Sequence, residues 1–534
     1  MTEEIKGALS EAVKVLFDVD AEPELSRPEE RFGDYASNVA LQLAGKLSKN
    51  PREIAEALAE KLQEDGQFEK IEVAGAGFIN ITLKNESLIN ALQTATQLPK
   101  TLEGQEILVE FGDPNPFKEM HIGHLYSYIT GDSISKLLEA GGASVRRLSY
   151  HGDVGLHVAK AIWGMQHQPA GQELGVYYAA GANAYEDNPE AKAQIEQINE
   201  HVYKKDDEQI NGMYEQGRQA SFEYFDNILT ELGVRNDRRY LESESADTGL
   251  DFVRQHTGSV FKESQGAIIY DGEKVGLHTR VFITSKGLPT YETKDLGLAE
   301  LKNQDYPAAA RSIIITAHEQ SEYFKVMLAA LAEFDAPLAK KTTHLAHGFL
   351  SLSTGKMSSR TGEVYSAESL LRDVQGESKK LYPDSSADTY LAAVKYGFLK
   401  HRLGSDIVYD VAESVSLEGN SGPYLQYAHA RARSILGKAQ GGEGKITGLD
   451  SAERSLSRKI SEYPEAAAKA TAELMPHHIA NYLYELAQSF NRFYEGSRVI
   501  GDARELTRLQ LIGIYADVLK NGLELLNIVA PEHV

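Results

Sequence analysis

The hydrophobic residues of the first hundred positions change from a helical spacing to a strand-like one. A helical stripe with one apolar residue in every four lies between Pro51 and Gly66, its members being Ile54, Leu58 and Leu62. Apolar runs at 71–73 and 78–83 then predict two strands that are joined by a Gly-containing turn. We therefore expect a small α+β domain over residues 1–100.

A different pattern begins with the apolar run at 107–111, which predicts a buried strand. A long helical pattern follows and ends near Gly141, and a second strand-like run covers 144–149. A strand, a helix and a strand in this order form a βαβ unit, which favours a parallel sheet. Another strand-like run lies far downstream at 312–316. We expect an α/β domain with a parallel sheet over residues 101–382.

Two long helical regions complete the chain. The stretch at about 163–261 is polar, helical and rich in Glu, Gln, Asn and Tyr, and we interpret it as an insertion into the sheet domain. Downstream of Pro383 the pattern is helical nearly to Pro531, with a Gly-rich interruption at 437–448. We expect an all-α domain over residues 383–534.

The composition excludes several classes of protein. The 55 Lys and Arg residues against 78 Asp and Glu residues give a net charge of -23, which excludes a uniformly basic nucleic-acid coat or a polybasic membrane binder. A local basic stripe, and so a nucleic-acid enzyme, stays possible. The absence of cysteine excludes a thiol nucleophile, disulfides and Cys-ligated metals. No secretory signal or run of roughly 18 apolar residues is present, so we expect a cytoplasmic protein without membrane contact.

Two histidines open the helix that follows the first strand of the sheet domain. His121 and His124 lie on one helical face, and Gly123 between them leaves room for a flat ring. Parallel sheets bind ligands at the carboxyl ends of their strands, and a helix N-terminus offers N–H groups to anions. We expect both histidines to donate hydrogen bonds to phosphate oxygens, with Lys118 adding positive charge.

Two other interpretations of these histidines stay open. They could be ordinary half-exposed residues. They could also form half of a metal site, because His344 and His347 repeat the same spacing. A metalloprotease helix, however, carries its histidines at i and i+4 with a glutamate between them. We therefore expect no dedicated metal site.

A second motif lies late in the sheet domain, between Gly355 and Gly362. Its small, hydroxyl and basic residues suit a mobile loop that closes over a triphosphate, although exposed basic turns of this kind are common. The residues concerned are Lys356, Met357, Ser358, Ser359 and Arg360.

Together the two motifs resemble the HIGH and KMSKS signatures of the class I aminoacyl-tRNA synthetases, and the wider sequence resembles the arginyl-tRNA synthetase family. The resemblance runs from about residue 30 to the end and is thinnest in the insertion. Its blocks include Val109–Asn115, His151–Gly155, Tyr291–Asp295, Gly422–Arg431 and Asn527–Glu532. It implies a Rossmann-type catalytic domain and the ATP-dependent formation of arginyl-adenylate. The arginyl group would then pass to the 3′ end of tRNA(Arg).

The resemblance also implies roles for single residues. Those that would contact ATP are His121, Gly123, His124, Lys356, Met357, Ser358, Ser359 and Arg360. Catalysis would rest on His121, His124, Lys118 and Lys356. The arginine-binding residues would be Glu110, Asn115, Tyr291, Asp295 and Gln320. Carboxylates suit this task because they accept the guanidinium N–H groups bidentately.

For tRNA, the resemblance implies two separate contact regions. Phe78 and Asn80 would let the N-terminal domain contact the tRNA elbow, and a DALR-type C-terminal domain would bind the anticodon. Tyr427 and Arg431 share a helix face, where an aromatic ring can stack on a base and Arg can engage phosphate. A tyrosine stripe packed in a helical core is the alternative. We expect a monomer that uses tRNA(Arg), L-arginine and ATP with Mg²⁺.

Five positions depart from the family pattern. The family's Arg, Trp and Gln are Tyr126, Val154 and His157 here, its Ser is Asp113, and the second lysine of its loop is Ser359. Members that lack this loop lysine commonly carry one near the first motif. Lys118 would then supply the missing charge.

Three rival functions stay open from the sequence. One is a related adenylyl transferase acting on a small molecule, and another is a catalytically silent paralogue that binds RNA. The third is a metallohydrolase with four histidine ligands. The Tyr/Arg-rich block that begins at Gly422 argues against the first, and the intact histidine motif with its lysines argues against the second. Metal analysis of the purified protein distinguishes the third.

Overall fold

An antiparallel sheet packed against helices forms the N-terminal part of the chain. The computed structural model describes residues 1–353, 365–439 and 445–533. The elements of this part are α1 Thr2–Phe17, β1 Leu25–Ser26, β2 Tyr35–Ser37, α2 Val39–Leu47, α3 Pro51–Glu64, β3 Lys70–Ala74, β4 Phe78–Thr82 and α4 Asn85–Gln93. Pro51 occupies the first turn of α3, and the side chain of Asn50 accepts a hydrogen bond from the N–H of Arg52. The predicted helix and the β3–β4 hairpin are confirmed.

A parallel sheet with the order β12-β11-β5-β6-β7 forms the centre of the second part. Its buried strands β5, β6 and β11 agree with the apolar runs in the sequence, so the predicted βαβ unit is confirmed. The first elements of this part are β5 Glu106–Phe111, α5 Ile122–Ala140, β6 Ser144–His151, α6 Leu156–His167, α7 Leu174–Asp187, α8 Pro189–Lys204, α9 Glu208–Leu232 and β7 Arg238–Leu241. Those that follow are α10 Glu242–Gln255, β8 Phe261–Ser264, β9 Ala267–Tyr270, β10 Arg280–Ile283, α11 Tyr291–Asp305, β11 Arg311–Ala317, α12 Ser321–Phe334, α13 Ala336–Lys341, β12 Thr342–His347 and β13 Leu350–Leu352.

The predicted insertion is wrong in its C-terminal part. Helices α6 to α9 do extend from the sheet, but β7 pairs in parallel with β6 and belongs to the sheet itself. This strand has four residues, two of them arginines, and lies at an edge, so its sequence carries no apolar run. Helix α10 then returns against α11, where Cβ atoms on Gly249 or Gly297 would collide with the backbone of the other helix. These two glycines therefore permit the close packing that fixes the position of α11.

Helices dominate the C-terminal part, as the sequence predicts. They are α14 Ala367–Leu381, α15 Ala387–Leu399, α16 Val411–Ser414, α17 Gly422–Lys438, α18 Ser451–Ser461, α19 Tyr463–Glu473, α20 His477–Gly496 and α21 Glu505–Leu525. One departure is β14, Ile407–Tyr409, which pairs in parallel with β13 and so ties this part to the sheet domain. Among the described helices, none has the length and apolar character needed to cross a membrane.

Helix α9 connects the sheet domain with the C-terminal helices. Near its start, the Tyr214 hydroxyl donates to the buried carboxylate of Asp153, 2.5 Å away. At its end, Glu231 accepts a hydrogen bond from the Tyr390 hydroxyl at 2.5 Å, and the carbonyl of Leu232 accepts one from Asn527 at 3.2 Å. The helix is thus bonded at both ends to different parts of the molecule.

Candidate active site

The predicted ATP and arginine residues of the described chain meet at one edge of the parallel sheet. Glu110 is the penultimate residue of β5, and His121 caps the following helix α5. Gln320 lies in a short 3₁₀ turn directly after β11. Strands β11 and β6 flank β5 on opposite sides, so the chain order reverses there. Such a reversal point is where open α/β sheets bind their ligands.

The two histidines form a reciprocal cap at the start of α5. His121 Nδ1 accepts hydrogen bonds from the N–H groups of Gly123 and His124, at 3.1 and 3.4 Å, and His124 Nδ1 accepts one from the N–H of His121 at 3.2 Å. Because both Nδ1 atoms are acceptors, the proton of each neutral ring lies on Nε2. The rings stack with their centroids 3.6 Å apart. The cap therefore leaves an Nε2–H donor on each ring.

Burial keeps these rings uncharged. The pKa of His121 is lowered to about 4, mainly by burial and also by the neighbouring His347 and Lys118. Burial and the proximity of His121 lower the pKa of His124 as well. Near pH 7 the pair can donate hydrogen bonds to an anion without bringing a charge of its own.

The loop that leads from β5 to these histidines is held by helices α6 to α9, the helical extension of the sheet domain. The N–H of Phe117 donates to Ser221 Oγ on α9 at 2.8 Å, and its ring packs where a Cβ on Gly217 would lie 2.1 Å from a ring carbon. The next residue, Lys118, places its ammonium 4.6 Å from the ring centroid of Tyr178 on α7. The predicted catalytic lysine thus rests on an aromatic face of this extension. The second predicted motif, Lys356 to Arg360, lies outside the described residues.

Carboxylates gather around β5 and α11. Glu110 is buried and forms an ion pair with Lys302, a residue that the sequence analysis missed. Asp295 lies seven residues before Lys302, on the same face of α11. Burial, together with the charge of Glu110, raises the pKa of Asp295 well above its usual value. The group is therefore a cluster of acidic side chains with a strong preference for an added cation.

The other three predicted arginine-binding residues lie around this cluster. Asn115 uses its Oδ1 atom to accept the N–H of Gly152 at 3.1 Å, which fixes the loop between β5 and α5. Tyr291 is 69% exposed at the first turn of α11, with the Lys294 ammonium 5.0 Å from its ring centroid. Gln320 is exposed. The structure thus places Glu110 in a buried position and Asp295 in a half-buried one, whereas Asn115 is half-buried and Tyr291 and Gln320 are exposed.

Two further buried groups support the site, and the sequence analysis did not identify them. Lys294 donates to Glu242 at 2.5 Å, and this ion pair joins α11 to the start of α10. Asp153 accepts hydrogen bonds from the backbone and side chain of Ser243 as well as from Tyr214. A signal existed only for Lys302, because its spacing from Asp295 is two helical turns.

Three of the five departures from the family pattern occupy ordinary structural positions. Tyr126 is buried, with its ring edge-on to those of His347 and Phe398. Val154 lies in the core formed with the helical extension. His157 Nε2 bonds to the carbonyl of Gly152 at 2.8 Å. All three therefore stabilise the surroundings of the site.

The four-histidine metal site finds no support in the geometry. His344 Nε2 bonds to the Thr316 hydroxyl at 2.8 Å, and its ring stacks on Phe324. The Nδ1 atom of His347 forms a hydrogen bond with the carbonyl of Gly348. In the parts of the chain that the structure describes, no group of three or more His, Cys, Asp or Glu residues could hold a metal ion.

The predicted tRNA-contacting residues lie away from the sheet edge, in the N-terminal and C-terminal parts. Phe78 begins β4 and is 45% exposed, whereas Asn80 in the same strand is buried. Tyr427 on α17 is 45% exposed, and Arg431 one turn later stacks over the ring of Tyr494, 4.5 Å from its centroid. The two aromatic rings therefore remain accessible, and the arginine is held in an aromatic contact.

Comparison with protein families finds three models that together cover most of the chain. Residues 1–83 match the arginyl tRNA synthetase N terminal domain, and residues 87–396 match the catalytic domain of the class I tRNA synthetases (R). Residues 425–534 match the DALR anticodon binding domain.

Whole proteins give the same result. The arginine–tRNA ligase of Lactobacillus delbrueckii subsp. bulgaricus is 30% identical over 96% of this chain and 96% of its own length. That of Treponema denticola is 28% identical over 93% and 92%. Among solved structures, the arginyl-tRNA synthetase of Thermus thermophilus is 26% identical, with a TM-score of 0.85 and coverage of 100% of both chains.

Proposed function

Because the chain belongs to the arginyl-tRNA synthetases, class I enzymes that ligate arginine to tRNA, we propose which of its residues carry each step. The substrates are L-arginine, ATP and tRNA. The family comparisons confirm the resemblance that the HIGH and KMSKS motifs indicate in the sequence. They do not favour the small-molecule transferase or the silent RNA-binding paralogue.

The buried carboxylate of Glu110 and the half-buried carboxylate of Asp295 would bind the guanidinium group of arginine. The observation that carries this assignment is the acidic cluster itself. Lys302 pairs with Glu110, and burial together with the charge of Glu110 raises the pKa of Asp295, so an added positive charge would stabilise the ionised carboxylates. A guanidinium would supply that charge and two parallel hydrogen bonds. Tyr291, Asn115 and Gln320 at the rim would contact the rest of the amino acid.

The histidines and lysines would act on ATP. An oxygen of the arginine carboxylate attacks the α-phosphorus, the bond from that phosphorus to the bridging oxygen breaks, and pyrophosphate leaves. The Nε2–H groups of His121 and His124 would donate to phosphate oxygens as negative charge develops there. Lys118 and the loop lysine Lys356 would supply positive charge, with Gly123, Met357, Ser358, Ser359 and Arg360 completing the ATP contacts. Catalysis of this kind rests on positioning and charge stabilisation.

The second step transfers the arginyl group to tRNA. A ribose hydroxyl at the 3′ end attacks the carbonyl carbon of the adenylate, and AMP leaves. Phe78 and Asn80 would contact the elbow, and Tyr427 with Arg431 the anticodon arm. We propose that Mg²⁺ enters with ATP, since phosphate oxygens are among its usual ligands, and that the enzyme is a cytoplasmic monomer.

Replacement of Asp295 tests the arginine assignment. Asp295→Asn removes one of the two carboxylates that would pair with the guanidinium. Arginine binding should therefore weaken by about 3–5 kcal/mol. Asp305→Asn, an exposed carboxylate on the same helix that accepts a hydrogen bond from Tyr240, is the matched control and should bind normally.

Aminoacylation of total tRNA with each amino acid in turn, and with citrulline, provides the readout. Wild-type protein should charge tRNA with arginine and reject citrulline, which is isosteric but neutral. Near wild-type charging by Asp295→Asn would show that the guanidinium is recognised elsewhere.

A further inference from the structure

Two clusters of charged side chains join the N-terminal part of the chain to the C-terminal helices. In the first, Asp34 directly precedes β2 and is fully buried, and Arg454 on α18 donates to its two carboxylate oxygens at 3.1 and 2.7 Å. Arg458, one turn later on α18, lies 3.5 Å from the same carboxylate. Leu83, which follows β4, donates its N–H to Asp34 at 2.7 Å, and its carbonyl accepts a hydrogen bond from Arg454 at 2.9 Å. The backbone just after β4 is therefore bonded directly to α18.

The second cluster surrounds Glu465 on α19. Its carboxylate accepts hydrogen bonds from the Thr2 hydroxyl at 2.7 Å and from the Tyr35 hydroxyl at 2.5 Å. The Arg27 guanidinium donates to both carboxylate oxygens, at 2.7 and 3.0 Å, and its Cζ atom lies 3.8 Å from the ring centroid of Tyr35. Burial alone would raise the pKa of Glu465, but the hydrogen bond and charge of Arg27 hold it below its usual value. An ionised carboxylate of α19 is thus held by three side chains of the N-terminal part.

Contacts of this kind fix an orientation more than they add stability. Removing charges from water costs much of what an ion pair gains, whereas a bidentate pair of arginine and carboxylate forms in one geometry. Apolar contact across the junction is also present, since Leu449, just before α18, packs against the N-terminal core. The two charged clusters lie on different helices, so together they restrict both the translation and the rotation of the N-terminal part.

A continuous series of contacts extends from Phe78 to Tyr427, the exposed aromatic residues of the two parts. Phe78 begins β4, and the first cluster lies directly after the end of this strand. Glu453 on α18 accepts a hydrogen bond from Arg508 on α21 at 3.0 Å. Helix α21 packs against α17, which carries Tyr427. The two proposed tRNA-contacting surfaces are therefore connected through ordered elements.

We propose that Asp34 and Glu465 are positioning residues for tRNA, which hold the Phe78 and Tyr427 surfaces at the separation that one tRNA molecule spans. This inference rests on the proposed contacts with the tRNA elbow and the anticodon arm. Two linked contacts can bind one molecule more tightly than either contact alone by about 10²–10⁴-fold, because the second contact forms within the same complex. If the separation of the surfaces varies, part of that gain is lost.

Glu465→Gln combined with Arg454→Met removes one ion pair from each cluster. Glutamine keeps an oxygen that can accept the Tyr35 hydroxyl, and methionine keeps a flexible, unbranched side chain that can fill the space. Glu473→Gln is the matched control, because this exposed carboxylate of α19 is bonded to His478 within the C-terminal part.

Fluorescence anisotropy with full tRNA(Arg) and with its separate anticodon stem-loop distinguishes positioning from a local contact. The double variant should bind full tRNA about 10- to 100-fold more weakly, which is part of the gain that linkage supplies, and should bind the stem-loop as wild type does. In aminoacylation, KM for tRNA should rise and kcat at saturating tRNA should stay unchanged. Glu473→Gln should match the wild-type protein in every measurement.

A chemical cross-link provides a rescue experiment. The natural chain contains no cysteine, so Glu30→Cys and Ser455→Cys introduce two unique thiols. The native side chains at these positions form a hydrogen bond across the junction. Joining the two thiols with a short bismaleimide in the double variant should restore the affinity for full tRNA, because the two parts are then held together again.

Other results overturn the proposal. An unchanged affinity of the double variant for full tRNA, or an affinity that the cross-link fails to restore, would show that the ion pairs do not position the two surfaces. An equal loss for the stem-loop would assign the ion pairs to the fold of the C-terminal part. Phe78→Ala and Tyr427→Ala test the contacts themselves. If tRNA affinity is unchanged in both, the proposed tRNA contacts are wrong, and the inference is wrong with them.

Discussion

The proposed arginine end and the proposed nucleotide end of the candidate active site are built on different principles. At the arginine end, buried charges dominate: Glu110 is paired with Lys302, and Asp295 lies beside them. At the nucleotide end, the two histidines are uncharged, and the loop that carries Lys118 is fixed by packing against α7 and α9. One end is therefore organised by electrostatics and the other by shape.

This difference predicts that the two ends fail in different ways. Changes at the arginine end should alter the affinity for arginine, because charge complementarity acts on the bound substrate directly. Changes at the nucleotide end should alter the adenylation rate, because a small displacement of a positioned donor weakens its contact with the transition state. The predictions below compare the ends by measuring both quantities on the same variants.

The largest effect on rate is expected from Lys118→Ala. Loss of one preorganised donor at developing charge lowers a rate by about 10²–10³-fold, and arginine affinity should stay unchanged. Single-turnover adenylate formation with saturating tRNA separates the chemical step from binding. Arg360→Ala, in the second predicted motif, which lies outside the described residues, should have the smaller effect. If Lys118→Ala is silent and Arg360→Ala is inactive, the second charge comes from that motif.

A pair of glycines on α9 tests the role of shape. Gly217→Ala would place a Cβ 2.1 Å from a ring carbon of Phe117, so the loop must shift and adenylation should fall about tenfold, since misplacement by about 1 Å can lower a rate by up to 10²-fold. Gly212→Ala, on the same helix, meets no atom within 4 Å and should stabilise the protein by up to about 1 kcal/mol. Thermal unfolding and single-turnover rates provide the two measurements. Equal rates in both variants would show that the Phe117 contact does not position the loop.

The smallest effect is expected at the nucleotide end when the pH is lowered. The pKa of His121 is lowered to about 4, so its neutral, donating form persists, and the adenylation rate at saturating arginine should stay flat between about pH 8 and 6. At the arginine end the pKa shift has the opposite direction, and a pH dependence is expected. The pKa of Asp295 is raised, arginine requires the ionised form, and affinity should fall as the pH falls. A rate that falls with a midpoint near the usual histidine pKa would contradict the neutral pair.

The sequence was sufficient for the parts of the site that depend on chain order. The strand before Gly112, the histidines at the next helix start and the helical C-terminal part all follow from local patterns. The ion pair of Glu110 and Lys302 does not, because it joins residues from separate elements whose packing depends on Gly249 and Gly297.

Strand β7 shows a second limit of local patterns. This four-residue edge strand, which contains Arg238 and Arg239, is positioned by its parallel pairing with the neighbouring strand β6. Its own apolar residues are too few to predict it.

Helix α9 also has a mechanical consequence. With 25 residues it is a rod of about 37 Å, stiff along its axis. Its C-terminal end is bonded to Tyr390, in the segment that matches the class I catalytic domain, and to Asn527, in the segment that matches the anticodon binding domain. Its N-terminal half supports Asp153, and its middle supports Phe117. We therefore expect a displacement at the Tyr390 and Asn527 contacts to shift the loop that carries Phe117 and leads to the histidines.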